Sequence, residues 1–256
     1  MKAKLCIAVV VVGAVWLVPA HAYRPFDGTD ADVLDRGDME LEFGYLHYLR
    51  EGSQRSLETP VAVMNFGLLN KRELVFEGRV RTLLSGNAEP HQTGFTDAAI
   101  SLKQLHREGS LQEGSGPSIA SECGLLLPVL SGERTGAGCA VIVSQHGVAG
   151  AVHFNGAVSK NREGSWERFL GTIVEGAGWG PIRPVGEVYA VRDSAGRHTE
   201  SALAGMAWTA RKGLTFDIAV RKARTEEHAI SEIRIGLTWA IPAGRSPGPA
   251  SAGTGE

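Results

Sequence analysis

Residues 230–241 alternate with a period of two, and the alternation separates oil from charge. Ile233, Ile235, Leu237, Trp239 and Ile241 fall on one side, Glu232, Arg234, Gly236 and Thr238 on the other. Successive side chains of a β-strand point to opposite faces, so this segment is a strand with one apolar and one charged face. The same pattern recurs along most of the chain. Such strands must pair their edges and must give every apolar face a dry environment.

About twelve strand-like segments can be marked. In 38–50, Met39, Leu41, Phe43, Tyr45 and Leu49 oppose Glu40 and Glu42. Segment 57–68 follows, and 72–84 sets Leu74, Phe76, Val80 and Leu84 against Glu73, Glu77, Arg79 and Arg81. In 95–107, Ala98, Ile100 and Leu102 oppose Asp97, Ser101 and Lys103. Segment 117–129 turns Glu122 away from Ile119, Cys123, Leu125 and Leu127. Segments 139–147 and 150–161 read as a hairpin. Segments 165–175, whose faces are ambiguous, and 184–192, which carries Glu187, are weaker. Segments 198–211 and 214–223 precede the closing strand, and in 214–223 Phe216, Ile218 and Val220 alternate with Asp217 and Arg221. No helix-length pattern alternates with the strands, which argues against a doubly wound α/β fold.

A soluble sandwich also alternates. Two features favour a closed transmembrane barrel. The apolar faces run over about ten positions, the length a tilted strand needs to cross a bilayer. Charges of both signs sit at mid-strand on the other face, where a lumen would hold them: Glu77, Arg79, Arg81, Asp97, Lys103, Glu122, Glu187, Asp217, Arg221, Glu232 and Arg234. Phe76, Phe216, Ile218, Ile233, Ile235, Leu237 and Trp239 are then lipid-facing. Trp166, Trp179, Trp208, Trp239, Tyr45 and Tyr189 are candidates for interfacial aromatic girdles, with strand packing the alternative.

The ends fit an exported barrel. Lys2 and Lys4, the apolar run Leu5–Val18 and Ala20-His21-Ala22 read as a signal peptide over residues 1–22. Residues 23–241 are expected to form one barrel domain, and 242–256, rich in Pro, Gly, Ala and Ser, a disordered tail. Mean hydropathy is close to zero, as expected when lumen residues dilute every strand. The net charge of −2 offers no basic field for nucleic acid.

Catalytic and metal chemistry is not expected. Ser144 and His146 share a face, but no third group is marked to orient the base. His146 and His153 could approach across the Gly147–Gly150 turn, yet two histidines make a poor metal site. No cofactor is expected. A hairpin around Ser131–Gly138 would put Cys139 near Val129 and roughly 20 Å from Cys123 at the usual strand rise, so a disulfide between them is not expected.

Several short blocks carry a family resemblance. They are Arg24-Pro25-Phe26-Asp27-Gly28-Thr29-Asp30 with Asp32, Gly37 and Glu40-Leu41-Glu42-Phe43-Gly44-Tyr45; Asn65-Phe66-Gly67-Leu68-Leu69 with Arg72-Glu73-Leu74; Asp97 to Lys103; Gly124-Leu125-Leu126-Leu127-Pro128; Glu187; Gly205; and Gly236-Leu237-Thr238-Trp239. The chain resembles the transporters of the phenol-degradation MetA-pathway family. The resemblance implies a bacterial outer-membrane β-barrel that helps small organic solutes, aromatic ones among them, across. Outer-membrane lipid, the barrel-insertion machinery and the solute are the implied partners. Such barrels commonly end at the aromatic of the last strand, whereas here Trp239 is followed by Ala240, Ile241 and the tail. A non-transporting structural or partner-binding barrel and a soluble periplasmic ligand-binding β-protein are the alternatives.

Overall fold

The structure is a computed structural model and describes residues 24–69, 71–85, 93–226 and 228–243. The expected signal peptide lies outside the described residues, as does the expected tail beyond Ala243.

Twelve strands form a closed antiparallel barrel in which each pairs with its sequence neighbours and the last closes on the first. They are β1 (Met39–Glu51), β2 (Gln54–Leu69), β3 (Arg72–Ser85), β4 (Thr93–Arg107), β5 (Ser118–Leu126), β6 (Gly136–Gly147), β7 (Gly150–Lys160), β8 (Trp166–Gly176), β9 (Ile182–Asp193), β10 (His198–Arg211), β11 (Leu214–Thr225) and β12 (Ala229–Ile241). Closure leaves no unpaired edge, a condition that a strand protein must meet in hydrocarbon. The turn at Lys212-Gly213 is tight because Gly213 takes φ +76°, a conformation glycine adopts without steric cost.

The alternation sets the two faces. On β11, Thr215, Asp217, Ala219, Arg221 and Ala223 are buried inside while Phe216, Ile218 and Val220 are exposed outside. On β12, Glu232, Arg234 and Thr238 are buried and Ile233 and Trp239 exposed, with Ile235 and Leu237 on that same outer face. Phe76 also lies outside, edge-on to Phe66 at 5.9 Å between ring centroids. Leu102, Leu125, Val141, Phe154, Leu170, Val188 and Met206 extend this exposed apolar surface around the barrel. A surface of that kind is stable against lipid chains and not against water.

Three departures from simple alternation have local causes. The β1–β12 register shifts between Gly44 and Leu46. Leu49, expected beside Phe43, therefore pairs with lumen-facing Glu232. The β2–β3 register shifts between Glu58 and Val61, around Pro60, a residue confined in sheets to edges and bulges. In β4, Asp97 takes φ +57° where the register against β3 shifts. Asp97 is thus not on the mid-wall, as the alternation predicts, but on a bulge at the mouth far from β1's start, paired with Arg79, Arg81 and Arg162.

The expectation for the cysteines is wrong. Strand β5 ends at Leu126, just before Leu127-Pro128, because proline cannot donate to a ladder. The 127–135 connection is longer than expected, and Cys123 pairs directly with Cys139. Their Cα atoms are 4.1 Å apart and the sulfurs are joined in a disulfide on the outer face.

Of the aromatics, Trp166, Trp208, Trp239 and Tyr45 are exposed on the outside, and Trp179 is exposed in the β8–β9 connection. Tyr189 is not. It faces the lumen, 5.1 Å from Phe169 between ring centroids, and Arg221 donates to its hydroxyl.

Candidate functional site

Residues 24–38 contribute no strand. They enter the barrel and run along its interior to Asp38, where β1 begins. Without a ladder, their backbone N–H groups need other acceptors, since an unpaired buried donor is costly. Lumen side chains supply them. The Glu187 carboxylate accepts from Asp27 N at 2.9 Å and Gly28 N at 2.7 Å. Asn155 accepts from Thr29 N at 3.0 Å and donates to its carbonyl at 2.8 Å. Ser144 accepts from Ala31 N at 2.9 Å and Glu73 from Leu34 N at 2.8 Å. Ion pairs reinforce these: Arg24 with Asp217 at 3.2 Å, Asp30 with Lys103 at 3.3 Å, and Asp27 with Arg234 at 3.0 Å. The segment is therefore tied to β3, β4, β6, β7, β9, β11 and β12.

Its apolar residues are also placed. Ala31 packs in a small cluster with Leu105, Ala120 and Ile142, against Val33 and Leu111. Leu111 belongs to a 3₁₀ turn, Ser110–Gln112, in the β4–β5 connection. Gln112 donates to Asp32 at 2.8 Å. This connection and the segment fill the mouth at which β1 begins.

Glycines make room for the segment. Gly44 and Gly236 face each other in the β1–β12 register. A Cβ on Gly44 would lie 2.7 Å from Arg24 Nη1, and one on Gly236 would overlap the Arg24 guanidinium. A Cβ on Gly67 would run into the Asp35 carbonyl.

The wall has two halves. Around β12, β1 and β2, charged groups pair with one another. His47 lies between Glu58 at 2.9 Å and Glu232 at 2.8 Å. Arg79 and Arg81 bond Glu58 at 3.0 and 2.6 Å. Arg234 bonds Glu232 at 2.8 Å, and Arg221 bonds Glu232 as well.

Toward the mouth far from β1's start, the lumen face of β4 to β7 is small instead: Ala99 and Ser101, Gly124, Gly138 and Ala140, then Ala157 and Ser159. Those positions leave a cavity of about 390 Å³, bounded by Arg24–Thr29 of the segment and by Val61, Val63 and Val75. Glu77 and Glu122 also line it. Ser101 donates to Glu122.

The sequence-derived lumen residues are thus divided by the fold. Arg221, Glu232 and Arg234 join the paired half, with Arg79 and Arg81 at its edge. Lys103, Glu187 and Asp217 hold the inner segment. Glu77 and Glu122 face the cavity.

Ser144 and His146 do not cooperate. The partner of Ser144 is His153, its register neighbour, at 2.8 Å. His153 contacts Glu175 at 3.2 Å, and Glu175 pairs with Arg183 at 2.6 Å. A serine, imidazole and carboxylate in line have the composition of a nucleophilic relay. However, Ser144 is fully buried and already accepts from Ala31 N, so in this structure the row anchors the segment. His146 binds Ser110 through its backbone N–H at 2.8 Å. Among the described residues no group of three or more His, Cys, Asp or Glu is placed to hold a metal ion.

The interior segment is the part that sequence reasoning missed. Residues 24–38 carry no periodicity. Their one visible signal is a run of small and polar residues, Asp27-Gly28-Thr29-Asp30, next to the first strand.

No protein-family model matches the sequence, and no curated protein matches it. Solved structures do. The COG4313 outer membrane channel from Pseudomonas putida F1 aligns with a TM-score of 0.60 at 11% identity, over 84% of this chain and 99% of that one. The KdgM porin, solved in complex with disordered oligogalacturonate, aligns with a TM-score of 0.53 at 9% identity, over 79% of this chain and 99% of the porin. At these identities the likeness establishes the fold. The chain has the twelve-strand barrel architecture of outer-membrane channels.

Proposed function

We propose that this protein is a bacterial outer-membrane channel that passes small organic solutes passively through a lumen restricted by its own N-terminal segment. The carrying observation is the cavity of about 390 Å³ walled by small residues. A barrel that serves only as a scaffold would fill that half with side chains, as narrow barrels do. The apolar outer belt and the closed ladder support placement in the outer membrane, with lipid and the insertion machinery as partners. The likeness to a porin and a channel supports the transport role, and the phenol-degradation resemblance favours organic solutes over inorganic ions. The chain acts on no substrate chemically in this reading and needs no cofactor.

The test is single-channel recording in planar bilayers, on the wild type and on a variant lacking residues 24–34. The expected result is a small conductance for the wild type and a several-fold larger one for the deletion. Silence from both, with insertion verified, would remove the transport reading in favour of a sealed barrel, which the paired half of the lumen would then explain.

A further inference from the structure

The cavity has a chemical bias that the channel reading leaves unspecified. Its arginines already have anionic partners: Arg24 pairs with Asp217, Arg79 with Glu58 and Asp97, and Arg234 with Glu232 and Asp27. Unused acceptor capacity also lines the cavity. Asn65 is fully buried and lines the cavity. Its amide nitrogen donates to Glu42 at 3.0 Å, and its Oδ1 has no partner among the described residues. Glu77 lines the same cavity without a hydrogen bond or ion pair among the described residues. Glu122 receives the Ser101 hydroxyl and has further acceptor capacity, because a carboxylate offers about four lone-pair sites.

The register places Glu77 and Asn65 as neighbours, whereas Glu122 pairs with Lys103 on the row of Glu73, two rows away. Glu42, Val63 and Glu77 form one row across β1, β2 and β3, and Asn65 pairs with Val75 in the adjacent row. Valines 61, 63 and 75 give an apolar wall among the acceptors. A ligand that satisfies such a wall presents several N–H donors, a positive charge and an apolar body. At Glu77 and Asn65 Oδ1 a carboxylate ligand would find acceptors where it needs donors, and a neutral alcohol would fill one acceptor and leave the other empty.

We propose that the cavity is a binding site for small organic ammonium ions, the nitrogen taken by Glu77 and Asn65 Oδ1, and the carbon chain laid on Val61, Val63 and Val75. This names the solute class of the channel and rests on that reading for the passage step. Binding itself does not require passage.

The experiment is calorimetry on the detergent-solubilised full chain with three isosteric probes: hexylammonium, 1-hexanol and hexanoate. Hexylammonium is expected to bind at least about tenfold tighter than either of the others, because only it makes charge-assisted bonds to carboxylates. Glu77→Gln is expected to remove about tenfold of that affinity while leaving 1-hexanol unchanged. Equal binding of the three probes by the wild type overturns the assignment, and this comparison needs no variant to fold. A barrel that conducts but shows no preference for hexylammonium keeps the channel and overturns the ligand class. A barrel that binds hexylammonium selectively but never conducts keeps the ligand class and removes the channel.

Discussion

Arg24 sits in a notch made by two glycines on neighbouring strands, and its guanidinium reaches Asp217. The notch has no room for a side chain. Gly236→Val should therefore assemble, since its neighbours' ladder bonds are untouched, yet expel Arg24 and loosen the inner segment. The measurement is channel conductance, expected to rise above wild type. An unchanged value would mean that the segment does not depend on the notch. A second residue-scale prediction concerns Glu133, in the β5–β6 connection. Its carboxylate accepts from Val129 N at 2.8 Å and Leu130 N at 3.1 Å. These bonds favour the ionised form and hold its pKa below the usual glutamate value. Stability from this group is therefore complete above the unfolded pKa and is lost as pH falls through the lowered folded value. Amide exchange at Val129 and Leu130 should stay slow down into the acid range and then quicken. Glu133→Gln should exchange faster near neutrality and lose that acid step.

Each strand carries its own sorting rule. On β11, Ile218 and Asp217 are neighbours with opposite environments, one exposed to the outside and one buried within. Ile218→Lys places a charge in hydrocarbon at a cost of about 2–4 kcal/mol near mid-bilayer, and should abolish heat-modifiable gel mobility, the mark of an assembled barrel. Asp217→Asn keeps its shape and should assemble. Equal behaviour of the two would mean the faces are misassigned. The β5–β6 hairpin is clamped by the Cys123–Cys139 disulfide, which closes a loop between residues 16 apart. Cross-links of that span contribute about 3 kcal/mol when the loop is otherwise free. This hairpin is already in register with its neighbours, so a double Cys→Ser variant should lower the temperature of the mobility shift by less than that figure implies and leave the barrel intact. The alternation displayed the faces of β11 and β12 in advance. It misled at β1 and β4, because one inserted residue inverts the parity of everything beyond it; at β5 the faces were legible and the strand's end was not. The bulges at Tyr45 and Asp97 are set by cross-strand pairing, to which a one-strand pattern is blind.

At the scale of the molecule, the lumen is asymmetric. One half neutralises its own charges through the chain of contacts from Arg81 and Glu58 through His47 to Glu232 and Arg234. The other half is lined by small residues and holds the cavity. The inner segment lies between them, bonded to both. Removing residues 24–34 leaves Glu187, Asn155, Ser144 and Glu73 without the N–H donors they now receive. Water can replace those donors in an opened lumen. The deletion variant should therefore remain a barrel, with a lower unfolding temperature alongside its larger conductance. Collapse of the barrel without the segment would show that the segment is a core rather than a restriction.

The sequence by itself determined the two-faced strands, their approximate number and the sign of each face over most of its length, because side-chain parity along a strand is a local property. It also held the charges off the apolar side. The tertiary structure alone decided which charges meet, that the two cysteines are opposite each other, and that Arg24 to Asp38 lie inside. Those outcomes depend on register and on closure of β12 against β1, which bring residues about two hundred positions apart, such as Arg24 and Asp217, within bonding distance. No local pattern encodes such a meeting, because it exists only once the cylinder has closed.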